Sequence, residues 1–186
     1  MCGNLGLLHA EADQRTIGQF VHTGWSAKDG APGNVHALAQ TTDGFLWLGT
    51  GQGLYRFDGV SFERYEPFKF SNITALVAGR NGDLWIAFDD KGVSRLRDGR
   101  NTDFSDSDGL PSRAVWSLTQ DTEGAIWAGT EGGLARFEHD HWQPVGADWG
   151  MPPGKAVAIY VDRNGTLWVA SERNIIFLPH GSKKFQ

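Results

Sequence analysis

The chain has 186 residues, enough for one domain with a substantial core, and its net charge of −5 is dispersed rather than gathered into blocks. Without a basic patch or stripe nucleic acid is not an expected partner, and no apolar run reaches the roughly 20 residues of a membrane span. Twenty-five glycines and eight tryptophans predict many tight turns and strands that pack large rings, while the single cysteine, Cys2, precludes both an intrachain disulfide and a cysteine-based metal site.

The first stretch, "MCGNLGLLHAEADQ", carries small apolar residues into Ala10-Glu11-Ala12, an A-x-A pattern. Residues 1–16 are accordingly expected to be the remnant of a signal sequence or a disordered N-terminus. Residues 17–25, "IGQFVHTGW", stand where the outermost strand of a preceding unit belongs. Next come "VHALAQT" (35–41), a Thr42-Asp43-Gly44 turn, "FLWLGT" (45–50), a glycine turn, "LYRFD" (54–58), an Asp58-Gly59 turn and "SFERYE" (61–66). Asp-Gly and Asn-Gly pairs supply the positive φ that hairpin turns demand.

The phrase "DGFLWLGT" then returns as "NGDLWIAF" (81–88), "EGAIWAGT" (123–130) and "NGTLWVAS" (164–171). Its turn glycines, Gly44, Gly82, Gly124 and Gly165, are 38, 42 and 41 residues apart, and Trp47, Trp85, Trp127 and Trp168 follow at the same steps. Helical periodicity is absent over any ten residues. A period near 40 with four short antiparallel strands per unit predicts an all-β fold, a β-propeller of four-stranded antiparallel blades. About four blades are present, with units over 35–66, 73–104, 114–145 and 156–186 in a propeller region spanning 17–186. The Trp strands read as near-continuous apolar runs, which predicts strands covered on both faces with the rings wedged between blades. Gly49 and Gly129 are expected to admit a close neighbour.

The stretch "DGLPSRAVWSLTQDTEGAIWAGTEGGLARF" (108–137) resembles the two-component regulator propeller repeat. The match recurs from Asp29-Gly30-Ala31-Pro32 through "DGFLWLGTGQGLYRFDG" and, more weakly, from "WGMP" (149–152) through "DRNGTLWVAS". The second unit has no D-G-L-P before it, and "WVASERNII" lacks both G-T and G-L, so an altered turn is expected in the fourth blade. This resemblance implies a periplasmic or extracellular, ligand-sensing, non-catalytic region of a bacterial histidine kinase or diguanylate cyclase. It also implies more blades than four. The N-terminal strand could instead close a four-bladed ring, but "LPHGSKKFQ" stops as a fourth strand begins, which favours part of a larger propeller. An open arc would self-associate through its blade edges. The alternatives are a stand-alone scaffold binding protein through a propeller face, and an exported propeller lyase or hydrolase.

No catalytic constellation, metal site or cofactor motif stands out. "DFSDSDG" (103–109) has Val115 where a calcium loop needs its acid, and His139-Asp140-His141 falls at a hairpin tip. Asp83 is read as capping its own hairpin. A ligand would meet the loops that lead into the innermost strands, since recognition residues concentrate on loops of a rigid scaffold. Those loops carry Asn34 and His36, Ser71 and Asn72, Arg113 and Trp116, and Trp149 and Lys155. Arg113 and Lys155 suit an anionic or hydroxylated small molecule, and Trp116 or Trp149 could stack on a sugar or aromatic group. The same residues are equally what an ordinary solvated loop would carry.

Overall fold

A computed structural model describes residues 23–186. The expected signal remnant, with Cys2 and the A-x-A pattern, and residues 17–22 of the preceding strand lie outside the described residues. Residues 23–26 form no strand. Trp25 packs edge-on against Phe57 and Phe62, with ring centroids 4.9 and 6.5 Å apart.

The strands fall into four antiparallel sheets in chain order. The first holds β1 (Val35–Gln40), β2 (Leu46–Thr50), β3 (Gly53–Phe57) and β4 (Phe62–Tyr65). The second holds β5 (Ile73–Ala78), β6 (Leu84–Phe88), β7 (Val93–Arg97) and β8 (Arg100–Phe104). β9 (Val115–Gln120), β10 (Ile126–Thr130), β11 (Gly133–Glu138) and β12 (His141–Val145) make the third. The fourth contains β13 (Ala158–Val161), β14 (Leu167–Ala170) and β15 (Ile175–Leu178). Beside β15, Gln186 exchanges both backbone hydrogen bonds with Phe177, at 3.0 and 2.9 Å, in the place of an outermost strand. Each sheet is a meander, and the first strands β1, β5, β9 and β13 lie side by side in sequence. This is a β-propeller of four blades, as the repeat predicts.

The turn chemistry explains why this sequence makes these hairpins. Gly44, Gly82, Gly124 and Gly165 all have φ between +79 and +98°, a region that side chains disfavour. The G-T of the repeat serves the next turn. Thr50 and Thr130 are buried, and each hydroxyl donates to the carbonyl of the glycine three residues on at 2.8 Å while accepting the amide two residues on. In the fourth blade Ser171 takes this role, donating to the Asn174 carbonyl at 3.2 Å and accepting its amide at 3.1 Å. The loss of G-T therefore leaves the hydroxyl-tied turn in place.

The core lies between blades. Trp47 joins Leu54, Ile73 and Leu76 between the first and second, Trp85 joins Val115, Phe137 and Trp142 between the second and third, and Trp127 joins Ala156 and Ile159 between the third and fourth. Three of the four repeat tryptophans thus fill inter-blade wedges. Trp168 departs from that expectation and is 39% exposed, because among the described residues no sheet packs on its face of the fourth blade.

Asp83 also differs from its expected role. Its carboxylate is buried and accepts two hydrogen bonds from Arg97, at 2.6 and 2.5 Å, across the blade. The other turns place an acceptor for the Trp indole at the turn's first residue: Thr41 for Trp47, Asp121 for Trp127 and Asp162 for Trp168. The second unit has Gly79 there.

Candidate functional site

The connections into β1, β5, β9 and β13 meet the hydroxyl-tied turns at one end of the blades. Asn34 adopts φ +51°, a conformation asparagine tolerates, and lines a recess of about 260 Å³ with Pro32, Gly51, Gln52 and Tyr55. The Nδ1 of His36 lies 3.3 Å from the Ile73 carbonyl. Since a carbonyl only accepts, Nδ1 carries the proton in this contact. Asn72 donates from Nδ2 to Asp89 at 2.6 Å, while its Oδ1 is buried without a partner. A side chain at Gly51 would meet both His36 Cε1 (3.6 Å) and Asn72 Oδ1 (3.7 Å), so these two residues flank one point. The buried Ser71 hydroxyl accepts from Lys91 at 2.8 Å.

Arg113 contributes its carbonyl, which accepts the Gly92 amide at 2.8 Å. Its exposed guanidinium makes no hydrogen bond or ion pair among the described residues. Beyond it, Trp116 and Lys155 converge on Glu131. The indole donates to Glu131 Oε2 at 3.3 Å, and Lys155 Nζ lies 2.7 Å from Glu131 Oε1 and 3.3 Å from Glu172 Oε1. The hydrogen bond to Glu131, then that to Glu172, raises the Lys155 pKa above its ordinary value.

Trp149 stands apart from this line. It packs edge-on to Trp127 with centroids 6.0 Å apart, its carbonyl accepts the Phe185 amide at 2.7 Å, and it belongs to the packing between the third and fourth blades. The structure therefore brings together Asn34, His36 and Asn72 on the first two blades and Trp116 with Lys155 on the last two. Arg113 lies between these groups.

Sequence reasoning passed over the carboxylates. Asp89, Glu131 and Glu172 each follow the last residue of a Trp strand or its tying hydroxyl, at the place Gly51 holds in the first unit. Aligning the second turn of each repeat as closely as the first would have exposed them. They change the chemistry of the rim. Lys155 is paired with two carboxylates, and the rest of the rim offers amide, imidazole and carboxylate groups, a half-exposed indole, the Lys91 ammonium held by the Ser71 hydroxyl and the Arg113 guanidinium. Such a surface can accept from and donate to hydroxyl groups and offer a ring face.

These features define the chain as a β-propeller whose rim at this end is set by repeat-locked turns. Segments 29–52, 109–132 and 150–173 match the family model of the two component regulator propeller. The match covers three of the four repeat units. The unit that is not matched is the second, which lacks the leading D-G-L-P.

No curated protein matches the sequence. Among solved structures, the chain is similar to the extracellular domain of the hybrid two component system BT3049 from B. thetaiotaomicron, with a TM-score of 0.74 at 20% identity over 87% of this chain and 24% of that one. Virginiamycin B lyase from Staphylococcus aureus superposes with a TM-score of 0.65 at 15% identity, over 82% of this chain and 54% of the lyase. The computationally designed Ika4 protein gives 0.61 at 16% identity, over 81% of this chain and 94% of the design. The chain spans about a quarter of the length of the BT3049 domain and about half of the lyase. At these identities the likeness establishes the propeller fold.

Proposed function

We propose that this chain is the extracytoplasmic sensing region of a bacterial signal-transduction protein, non-catalytic in itself, and that its rim binds a neutral, hydroxyl-rich small molecule of the glycan class. The repeat family and the extracellular two-component neighbour support the sensing role. The observation that carries the ligand class is the Trp116–Glu131–Lys155–Glu172 cluster. Its cation is already held by two carboxylates, so the acceptors left on those carboxylates face hydroxyl donors rather than acids. Ligand would signal by favouring one of two packings of the propeller with its neighbours, which requires different affinities for the two states.

Calorimetric titration of the chain with neutral oligosaccharides and with acidic ones of equal length tests this reading. Neutral sugars should bind, and Trp116→Ala or Glu131→Gln should each weaken them about tenfold, equivalent to about 1.4 kcal/mol. A preference for the acidic series, or binding that ignores both substitutions, would overturn it.

A further inference from the structure

Asn-Gly occurs twice in the chain, both times as Arg-Asn-Gly in the first turn of a repeat: Asn81-Gly82 in the second blade and Asn164-Gly165 in the fourth. The two turns share one backbone arrangement. The Gly82 amide donates to the Gly79 carbonyl at 2.9 Å and the Gly165 amide to the Asp162 carbonyl at 3.0 Å, and the two glycines have φ of +86 and +79°. Flanking sequence and main-chain geometry therefore treat the two asparagines alike, and only their side chains separate them.

The difference traces to the residue that opens each turn. Asp162 accepts the amides of Asn164 and Thr166 at 2.8 and 3.0 Å and the Trp168 indole at 3.1 Å. With the turn tied by that carboxylate, the exposed Asn164 side chain makes no hydrogen bond among the described residues. The second blade has Gly79 in this place, so Asn81 ties the turn itself. Its Oδ1 accepts the Asp83 amide at 3.3 Å, and its Nδ2 donates to Asp83 Oδ2 at 2.8 Å. Arg97 holds the same carboxylate. Asn81 and its counterpart Glu123 lie on blades with a neighbour on each side, yet they stay exposed and bond only within their own blades. The freedom of Asn164 is thus a property of its turn, whatever stands beside the fourth blade.

We propose that Asn164 is a site of spontaneous deamidation and that Asn81 is protected from it. The Gly165 nitrogen gives up its proton and attacks Asn164 Cγ, and the new C–N bond closes a succinimide as the side-chain nitrogen leaves as ammonia. Water then opens the ring at one of its two carbonyls, to aspartate or to isoaspartate. The sum is amide plus water to acid plus ammonia, with nothing oxidised or reduced. Glycine favours the attack because no Cβ shields its nitrogen. Asn81 must first release Asp83, and breaking those two hydrogen bonds slows it about tenfold. Isoaspartate routes the main chain through the former side chain and lengthens it. Gly165 has little room for that, since an added Cβ there would lie 2.9 Å from His180 Nδ1 and 3.1 Å from Thr122 Oγ1, a pair that joins the third and fourth blades at 3.0 Å. None of this depends on the ligand proposed for the rim.

The test holds the folded 186-residue chain in warm, mildly alkaline buffer beside the same chain in urea, and peptide mapping by mass spectrometry follows conversion of amide to acid at each site. In urea the two asparagines should react at one rate, whereas in the folded chain Asn164 should react about tenfold faster than Asn81. Gly79→Asp gives the second turn its missing carboxylate and crowds Asn81 Oδ1, which lies 2.8 Å from a Cβ added at Gly79. That variant should bring Asn81 up to the rate of Asn164. Equal rates in the folded wild type, an Asn164 that reacts in urea but survives in the folded chain, or a Gly79→Asp chain whose Asn81 stays slow would each overturn the proposal. Chains carrying isoaspartate at 164, separated by ion exchange, should unfold at a lower urea concentration than unreacted ones, and an unchanged midpoint would overturn the strain assigned to the His180–Thr122 contact.

Discussion

Trp85 and Trp168 hold the same place in their repeats, three residues after a turn glycine, yet they live in different environments. Trp85 is enclosed by Phe104, Phe137 and Trp142, with the Arg95 guanidinium 5.6 Å from its ring. Trp168 keeps a hydrogen bond to Asp162 and a tilted contact with Phe177, and otherwise faces outward. The blade supplies the ring's orientation, but the neighbouring blade supplies its energy. A repeat in a propeller is therefore half of two interfaces rather than a self-sufficient unit.

The largest expected effect tests that contrast directly. Trp85→Ala removes a fully packed ring from the middle interface and should cost about 4 kcal/mol in urea unfolding. Trp168→Ala should cost about 1 kcal/mol, since only intra-blade contacts are lost. Equal costs would mean that the Trp stabilises its own hairpin, and the inter-blade account would fail.

A smaller effect sharpens the same comparison in polar terms. Asp83 is enclosed and held by Arg97, whereas Asp162 holds the exposed Trp168 indole. Hydrogen bonding to Asp83 is also the main cause that raises the Arg97 pKa. Arg97→Met strands a buried carboxylate and should cost about 3 kcal/mol, because breaking one side of a buried pair leaves an uncompensated charge. Adding Asp83→Asn should recover part of that loss in the same denaturation assay. No recovery would assign the cost to lost packing of the arginine stem.

The fold was legible in the sequence because its signals are local. Turn glycines, the tying threonine and the apolar Trp strand lie within about ten residues of one another, and each acts through backbone geometry that sequence spacing preserves. The rim was only partly legible. Lys155 looked like a free cation because Glu131 and Glu172, its partners, sit on turns of two different blades. Trp149 reads as a recognition residue because its loop leads into an innermost strand, and its contact with Trp127 is set by the packing of the third and fourth blades. Asp83 reads as a local cap because Arg97 lies 14 residues on, across the β6–β7 hairpin. In each case the partner is fixed by how strands and blades pack rather than by spacing in the sequence.

The leading D-G-A-P and D-G-L-P segments give the smallest and most local test of how repeats diverge. Ser26 donates its backbone amide to Asp29 at 2.8 Å, and Ser105 does the same to Asp108 at 2.8 Å. The third such segment has Gly146 and Trp149 in these places and no side-chain cap. Backbone hydrogen bonding from the serine is the largest cause that lowers both carboxyl pKa values below the ordinary 3.8. A carboxyl whose folded pKa lies below its unfolded value adds stability that is fully present above the unfolded value and is lost as pH falls through the folded one. Stability should therefore hold near neutral pH and decline as pH drops below the ordinary carboxylate range. Asp29→Asn and Asp108→Asn should each flatten that decline slightly while lowering stability at pH 7. A slope that neither substitution flattens would mean that the acid sensitivity comes from general charge repulsion rather than from the two serine-capped turns.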